Sequence, residues 1–344
     1  MTRVGYYDDP AFGEHDAGPG HPERPERLDA VRRGLREAGL VDALVPLAAR
    51  DATREELLRV HSAVHVDRVA ATEGRRVRFD ADTAAGPRSY AAALRAAGAV
   101  ADAVGRVLDG AIDRAFCNVR PPGHHATRDQ PMGFCLFNNV AVGAAVALAR
   151  GLARVAVIDF DVHHGNGTQE AFYADPRVLY VSSHQFPFYP GTGLLSEVGE
   201  GEGRGFTVNL PMPLGLGDGD YRRAYREVVE PIGRAFDPEL VLVSAGFDAH
   251  RDDPIGGMGV TAAGFAELMD VCLAIASGSA RGRLVAVVEG GYDLDGIAES
   301  AAATVRQMLG SAPKALAAPS QPGFERLLAA YREMHGRHWP TLKG

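Results

Sequence analysis

Val155-Ala156-Val157-Ile158-Asp159-Phe160-Asp161-Val162-His163-His164-Gly165-Asn166-Gly167-Thr168 reads as a buried strand that runs into a turn loaded with acids and imidazoles. Four apolar residues in a row at its start, Val155–Ile158, with no polar face, suit a parallel strand covered by helices on both sides. The same pattern recurs at Ala115–Val119, Val178–Ser182, Leu240–Ser244 and Leu284–Val288, each bounded by Gly, Pro or Asp. Helical periodicity fills the gaps, near Ser89–Leu108, Asn138–Arg150, Asp220–Phe236, Thr261–Ser277 and Gly296–Leu309. Pro22-Glu23-Arg24-Pro25 leads into an earlier helix through about Ala38, since proline is tolerated in a first turn. Alternating strands and helices predict an α/β fold with a central, mostly parallel sheet flanked by helices. The Gly- and Pro-rich segments fall after strands, where open parallel sheets collect ligands.

The chain has 344 residues, of which 46% are hydrophobic and 23% charged, with a formal net charge of −8. That balance supports a packed core and excludes a disordered or coiled-coil chain. No repeat or low-complexity linker divides it, so a single domain over 1–344 is expected. Its peripheral tail at about 310–344 would hold a loop and a last helix at Phe324–His335. No apolar run is expected to reach the roughly 18 residues that span a bilayer; the longest, around Val140–Ala149, is shorter. The first residues lack the apolar stretch of a secretory signal. Cys117, Cys135 and Cys272 form no CxxC pair, and an odd number cannot all pair internally, which points to a reducing cytoplasm. The acidic balance and the absence of a basic run argue against nucleic acid as a partner.

Side chains alternate along a strand, so Asp159, Asp161 and His163 would start on one face. Burying two carboxylates there without a cation is costly. A divalent metal resolves that cost, and mixed Asp/His ligation suits Zn²⁺ or another first-row metal. Asp248, at the end of Val241-Leu242-Val243-Ser244-Ala245-Gly246-Phe247-Asp248, is the best further ligand. Asp161, His163 and Asp248 would leave a coordination position open, as catalytic zinc does. Taken singly, each acid is better explained as a helix cap or an arginine partner; the whole Asp-x-Asp-x-His-His run is not. Arg120-Pro121-Pro122-Gly123-His124-His125 places two imidazoles after another strand, suited to deprotonating a water. Asp159 and Asn166 are natural partners for their other ring nitrogens. Val288-Glu289-Gly290-Gly291-Tyr292 could project a tyrosine hydroxyl toward an oxyanion.

Together with Gly133-Phe134-Cys135-Leu136-Phe137-Asn138-Asn139 and Ser182-Ser183-His184, these strings resemble the zinc-dependent histone deacetylase superfamily. That superfamily includes acetylpolyamine amidohydrolases and acetoin-utilisation proteins and has an arginase-like, three-layer α/β fold. The likeness runs from about Gly20 to Leu309 and is nearest the class II branch. The resemblance implies one catalytic Zn²⁺ on Asp161, His163 and Asp248, with His125 as general base and His124 as its electrostatic partner. Asp159 would orient His124, Asn166 would orient His125, and Tyr292 would polarise the acyl carbonyl. It further implies a substrate channel lined by Gly133, Phe134 and Tyr189. A structural K⁺ would lie on Asp159, the carbonyls of Asp161, His163 and Ser183, and the Ser182 hydroxyl.

The implied partner is an acetylated lysine in a peptide or protein, or a small acetylated amine, with no membrane partner. Dedicated polyamine deacetylases of the class II branch carry an acidic gatekeeper where this chain has Ile255, which favours acyl-lysine. Glu14, Asp16, Asp80 and Asp82 could supply acidity from other loops, and Asp80 or Asp82 could hold a substrate backbone. His21 and Arg24 would shape the rim. A dimanganese ureohydrolase and an inactive acyl-lysine-binding protein are the remaining alternatives: the first needs more bridging acids, the second a lost ligand. The three cysteines are expected in the core; His61, His65, His335, His338 and Trp339 are expected at the surface or in packing.

Overall fold

A computed structural model of the chain describes residues 2–311 and 318–342. The strands in chain order are β1 (Val4–Tyr7), β2 (Leu44–Leu47), β3 (Val77–Arg78), β4 (Ala84–Ala85) and β5 (Arg114–Cys117). They continue with β6 (Val155–Asp159), β7 (Val178–Gln185), β8 (Thr207–Met212), β9 (Leu240–Ala245) and β10 (Leu284–Val288). Eight form one sheet in the order β2-β1-β5-β10-β9-β6-β7-β8, and every pairing in it is parallel. β3 and β4 make a separate antiparallel ribbon.

The two faces of the sheet feed two cores. Ala156, Ile158, Val241, Val243, Leu284 and Ala286 pack on one side with helices Glu26–Glu37, Ala262–Ser279 and Leu294–Met308. Val155, Val157, Leu240, Leu242, Val285 and Val287 pack on the other with helices Ser89–Leu108 and Asn139–Ala149. Each fully buried Val, Leu or Ile side chain contributes about 1.5–3 kcal/mol. The strands must therefore be apolar on both faces, which is why they read as continuous runs.

Three strands escape the hydrophobic pattern. β1 is four residues long and contains Gly5, β2 contains Pro46 and exposes Val45, and β8 mixes Asn209 and Pro211 with its apolar residues. β2 and β8 are the sheet edges, where proline is tolerated and alternation is weak. Helix Phe324–His335 covers the β8 edge, and the Tyr331 hydroxyl donates to the Pro211 carbonyl at 2.8 Å. The expected helix over 220–236 starts at Asp218 and is continuous through a wider π-helical turn at Tyr225–Val229.

One expectation is corrected. Helix Ala262–Ser279 is long and apolar enough to cross a membrane, and 61% of it is buried. It packs against helices Leu294–Met308 and Asp218–Phe236 and forms part of the core layer, which accounts for its apolar character. The three cysteines are all buried and free, as expected. His61, His65 and His335 are inside as well; His61 bridges the Thr127 carbonyl (2.8 Å) and the Asn138 amide (2.9 Å).

Candidate active site

In register, Asp159 on β6 lies level with Ser182 on β7 and Ser244 on β9. The chains leaving β5, β6, β9 and β10 therefore enter loops at one end of the sheet, and each carries part of the site. β6 ends at Asp159, so the strand alternation expected to align Asp159, Asp161 and His163 does not continue. The Asp161 amide donates to Asp159 Oδ1 (3.1 Å) and the His163 amide to Asp161 Oδ1 (2.9 Å). These carboxylate-capped turns separate Asp159 from the other two, and it faces His124 and Tyr180 instead.

Asp161, His163 and Asp248 are buried, and ligand atoms from all three lie within 4.8 Å of one another. His163 Nδ1 is 3.0 Å from Asp161 Oδ1 and 3.1 Å from Asp248 Oδ2. Backbone donors fix the remaining oxygens: Gly290 N–H to Asp161 Oδ2 and Val162 N–H to Asp248 Oδ1, both at 2.8 Å. Gly290 is required here, because a Cβ at this position would lie 2.0 Å from Asp248 Oδ2.

Burial pushes the Asp248 carboxyl up to about 7, and the neighbouring Asp161 charge adds to the shift. Burial opposes a charge on His163, yet Asp161 and Asp248 outweigh it and push that imidazole up to about 9. A buried ion costs on the order of several kcal/mol unless it is paired. Two carboxylates and one imidazole converging in this way match the donor set of a divalent first-row metal.

Beside the cluster, His124 Nδ1 bonds Asp159 Oδ2 (3.0 Å), which also accepts from the Tyr180 hydroxyl at 3.1 Å. Burial disfavours the His124 cation, but Asp161 and Asp159 outweigh it and raise its pKa to about 10. His125 Nδ1 donates to Asn166 Oδ1 at 2.8 Å, which leaves Nε2 with a free lone pair. Burial, then the charges of His124 and His163, hold His125 well below the usual imidazole range, in its basic form at neutral pH.

These groups border a cavity of about 220 Å³, lined by Asp82, Pro122, His124, His125, Gly133, Phe134, His163, Phe188, Tyr189, Ile255, Gly290 and Tyr292. Phe134 adopts φ 69°, a left-handed conformation that costs a bulky residue about 1–3 kcal/mol. Thr83 Oγ1 accepts its amide hydrogen (3.2 Å), and its ring meets His21 (4.5 Å) and Tyr292 (5.9 Å) edge-on. Tyr189 packs edge-on against His125 at 5.2 Å. Burial raises the Tyr292 phenol well above its usual range, so its hydroxyl keeps its proton.

His163, His124, His125, Tyr292, Gly133, Phe134, Tyr189 and Ile255 thus line one cavity, and Asp161 and Asp248 reach it through their contacts with His163. Ser182 is the register partner of Asp159, with its hydroxyl 2.9 Å from His184 Nδ1, and the Ser183 hydroxyl bonds the Tyr225 hydroxyl at 2.9 Å. Asp80 Oδ1 accepts from the Asp82 and Thr83 amides (2.8 and 2.6 Å), which leaves Asp82 at the cavity mouth.

Three contributors gave no sequence signal. Phe188 stacks on His163 with centroids 5.1 Å apart. Glu289 accepts from the Gly123 and His124 amides (2.6 and 3.2 Å) and from Ser244 Oγ (3.1 Å). Asp253 accepts backbone amides from two loops. Phe188 sits in a Pro-rich loop, and carboxylates that bind backbone leave no spacing pattern.

A family model described as "Histone deacetylase domain" matches residues 21–308. Histone deacetylase 15 of Arabidopsis thaliana is 42% identical over 336 residues, covering 94% of this chain and 59% of that protein. A probable deacetylase of Archaeoglobus fulgidus is 42% identical over 86% of this chain and 82% of its own length. Human polyamine deacetylase HDAC10 is 43% identical over 93% of this chain and 50% of its own. The chain therefore spans 50–59% of the length of two of these relatives. The crystal structure of the HDA15 HD domain superposes with a TM-score of 0.92 at 40% identity, covering 100% of this chain and 97% of that one.

Proposed function

The chain belongs to the histone deacetylase family, and from that membership we propose that it is a zinc-dependent amidohydrolase that removes an acetyl group from an acyl-lysine side chain. The observation that carries this reading is the convergence of Asp161 and Asp248 on His163, which lines a cavity that also presents His125 and Tyr292. Bound there, Zn²⁺ would supply Lewis acidity and bring the pKa of a water toward neutrality.

The chain's own residues supply the rest. His125 takes a proton from the attacking water on Nε2 and later passes it to the departing amine. Asn166 holds the tautomer that leaves Nε2 free. His124, anchored by Asp159 and with its ring centroid 4.0 Å from that of His125, acts as its electrostatic partner. Tyr292 donates its hydroxyl to the acyl oxygen as negative charge grows there. Phe134, Phe188 and Tyr189 exclude water and enclose the aliphatic arm. A structural K⁺ would be held by Asp159, the carbonyls of Asp161, His163 and Ser183, and the Ser182 hydroxyl.

Ile255 on the cavity wall offers nothing to a second ammonium group, which favours acyl-lysine over an acetylated polyamine. The test compares acetate release from an acetyl-lysine peptide and from N-acetylputrescine. A higher kcat/KM on the peptide is expected; the reverse order would assign the chain to polyamines, and no release from either would overturn the deacetylase reading.

Asn166→Asp tests the base. An aspartate on His125 Nδ1 favours the imidazolium, and the base must be neutral to act. The acid limb of the kcat/KM–pH profile should move upward by roughly one unit. An unchanged limb would remove His125 from the proton transfer.

A further inference from the structure

We infer that Asp253 is a positioning residue for Tyr292, acting through one carboxylate shared between two loops; this rests on the reading in which Tyr292 donates to the acyl oxygen. Asp253 Oδ2 accepts the amide hydrogens of Tyr292 (2.7 Å) and Asp293 (3.2 Å). Its Oδ1 accepts those of Ile255 (2.9 Å) and Gly256 (3.1 Å). The carboxylate is buried, so water offers these four donors little substitute. Hydrogen bonds to a charged acceptor are about twice as strong as neutral ones.

The need for such a clamp lies in the chain just before Tyr292. Gly290 and Gly291 precede it, and Gly291 has φ 116°, so this stretch lacks the conformational restraint that side chains impose. Gly290 is fixed by its amide to Asp161 Oδ2. Arg27 holds the other side of the turn, donating from Nε to the Gly291 carbonyl (2.6 Å) and from a terminal nitrogen to the Glu289 carbonyl (2.5 Å). Asp253 secures the far end, where Tyr292 itself begins. Asp293 then caps helix Leu294–Met308 through Gly296 N–H (2.6 Å), so the clamp ties the tyrosine to a rigid element.

The other oxygen tethers the loop that places Ile255 on the cavity wall. Gly256 in that loop lies against Asp248, whose carbonyl would be 1.9 Å from a Cβ. The hydroxyl donor and the Ile255 wall of the cavity are therefore referenced to a single carboxylate, across 39 residues of sequence. Asparagine is nearly isosteric but offers one acceptor oxygen, so Asp253→Asn abandons one of the two pairs.

The test is a double-mutant cycle of Asp253→Asn and Tyr292→Phe, with metal content and Tm followed in each variant. A trifluoroacetyl-lysine peptide is the substrate, because its electron-poor carbonyl keeps residual rates measurable. Asp253→Asn alone should lower kcat roughly 10–100-fold, with KM little changed and metal retained. In the Tyr292→Phe background the same change should cost less than about two-fold, because the group it positions is gone. Equal losses in both backgrounds, or no loss in either, would overturn the positioning role. If Tyr292→Phe alone kept full activity, the reading of Tyr292 itself would fail, and the two failures are thus distinguishable. Should Asp253→Asn not fold, Asp253→Glu, which keeps both acceptor oxygens on a longer stem, enters the same cycle with the same criteria.

Discussion

Asp248→Ala should strip the protein of its metal and its turnover together. Asp248 is fully buried, and its two oxygens have separate tasks: Oδ1 takes the Val162 amide at 2.8 Å, and Oδ2 faces His163 Nδ1 at 3.1 Å. Alanine removes one of the three proposed ligands and also orphans a buried N–H, which costs about 1–3 kcal/mol. Loss of a residue that merely supports a metal ligand lowers affinity roughly 10–100-fold, so loss of a ligand should exceed about 100-fold. Asp248→Asn is the control for folding, since its amide oxygen can still accept from Val162 while the charge is gone. Both variants should be folded by circular dichroism yet hold little zinc and release no measurable acetate. A full complement of zinc in the alanine variant would remove Asp248 from the ligand set.

Tyr292→Phe should have the opposite metal signature. The ring packs at 5.9 Å from Phe134 and lies under the Arg27 guanidinium, whose carbon is 5.0 Å from its centroid, so phenylalanine keeps the packing. Only the hydroxyl is lost. Removing one preorganised oxyanion donor costs roughly 10²–10³-fold in kcat, or about 3–4 kcal/mol. Zinc content should stay at the wild-type level and KM should change little, because the hydroxyl contributes mainly as charge develops. Undiminished kcat would show that the acyl oxygen is stabilised without Tyr292.

Much of this site was legible because burying charge is costly. An apolar strand that ends in two acids and two histidines demands an explanation, and Asp161, His163 and Asp248 meet where the sequence reading expected a ligand set. The detailed reason was partly wrong: alternation along β6 stops at Asp159, and side-chain-capped turns bring the next two groups round. Central strands were readable since both their faces are apolar. β1, β2 and β8 were not, because short edge or near-edge strands with Gly5, Pro46, Asn209 and Pro211 carry little periodic signal. Helix Asn166–Phe172 was hidden by Gly165 and Gly167, which read as a loop. Gly167 is there for close approach, since a Cβ would meet the Ala126 carbonyl oxygen at 2.2 Å. Glu289 and Asp253 were invisible for a different reason: their partners are backbone amides, which every residue but proline possesses.

A cation held by Asp161, His163 and Asp248 is the premise of the proposed chemistry. Anomalous diffraction at the zinc edge from crystals of the purified protein, paired with metal analysis of the same sample, tests this most directly. One zinc per chain is expected, with its anomalous peak bounded by Asp161, His163 and Asp248. A protein that releases acetate without any bound transition metal, or a peak elsewhere in the chain, would contradict it.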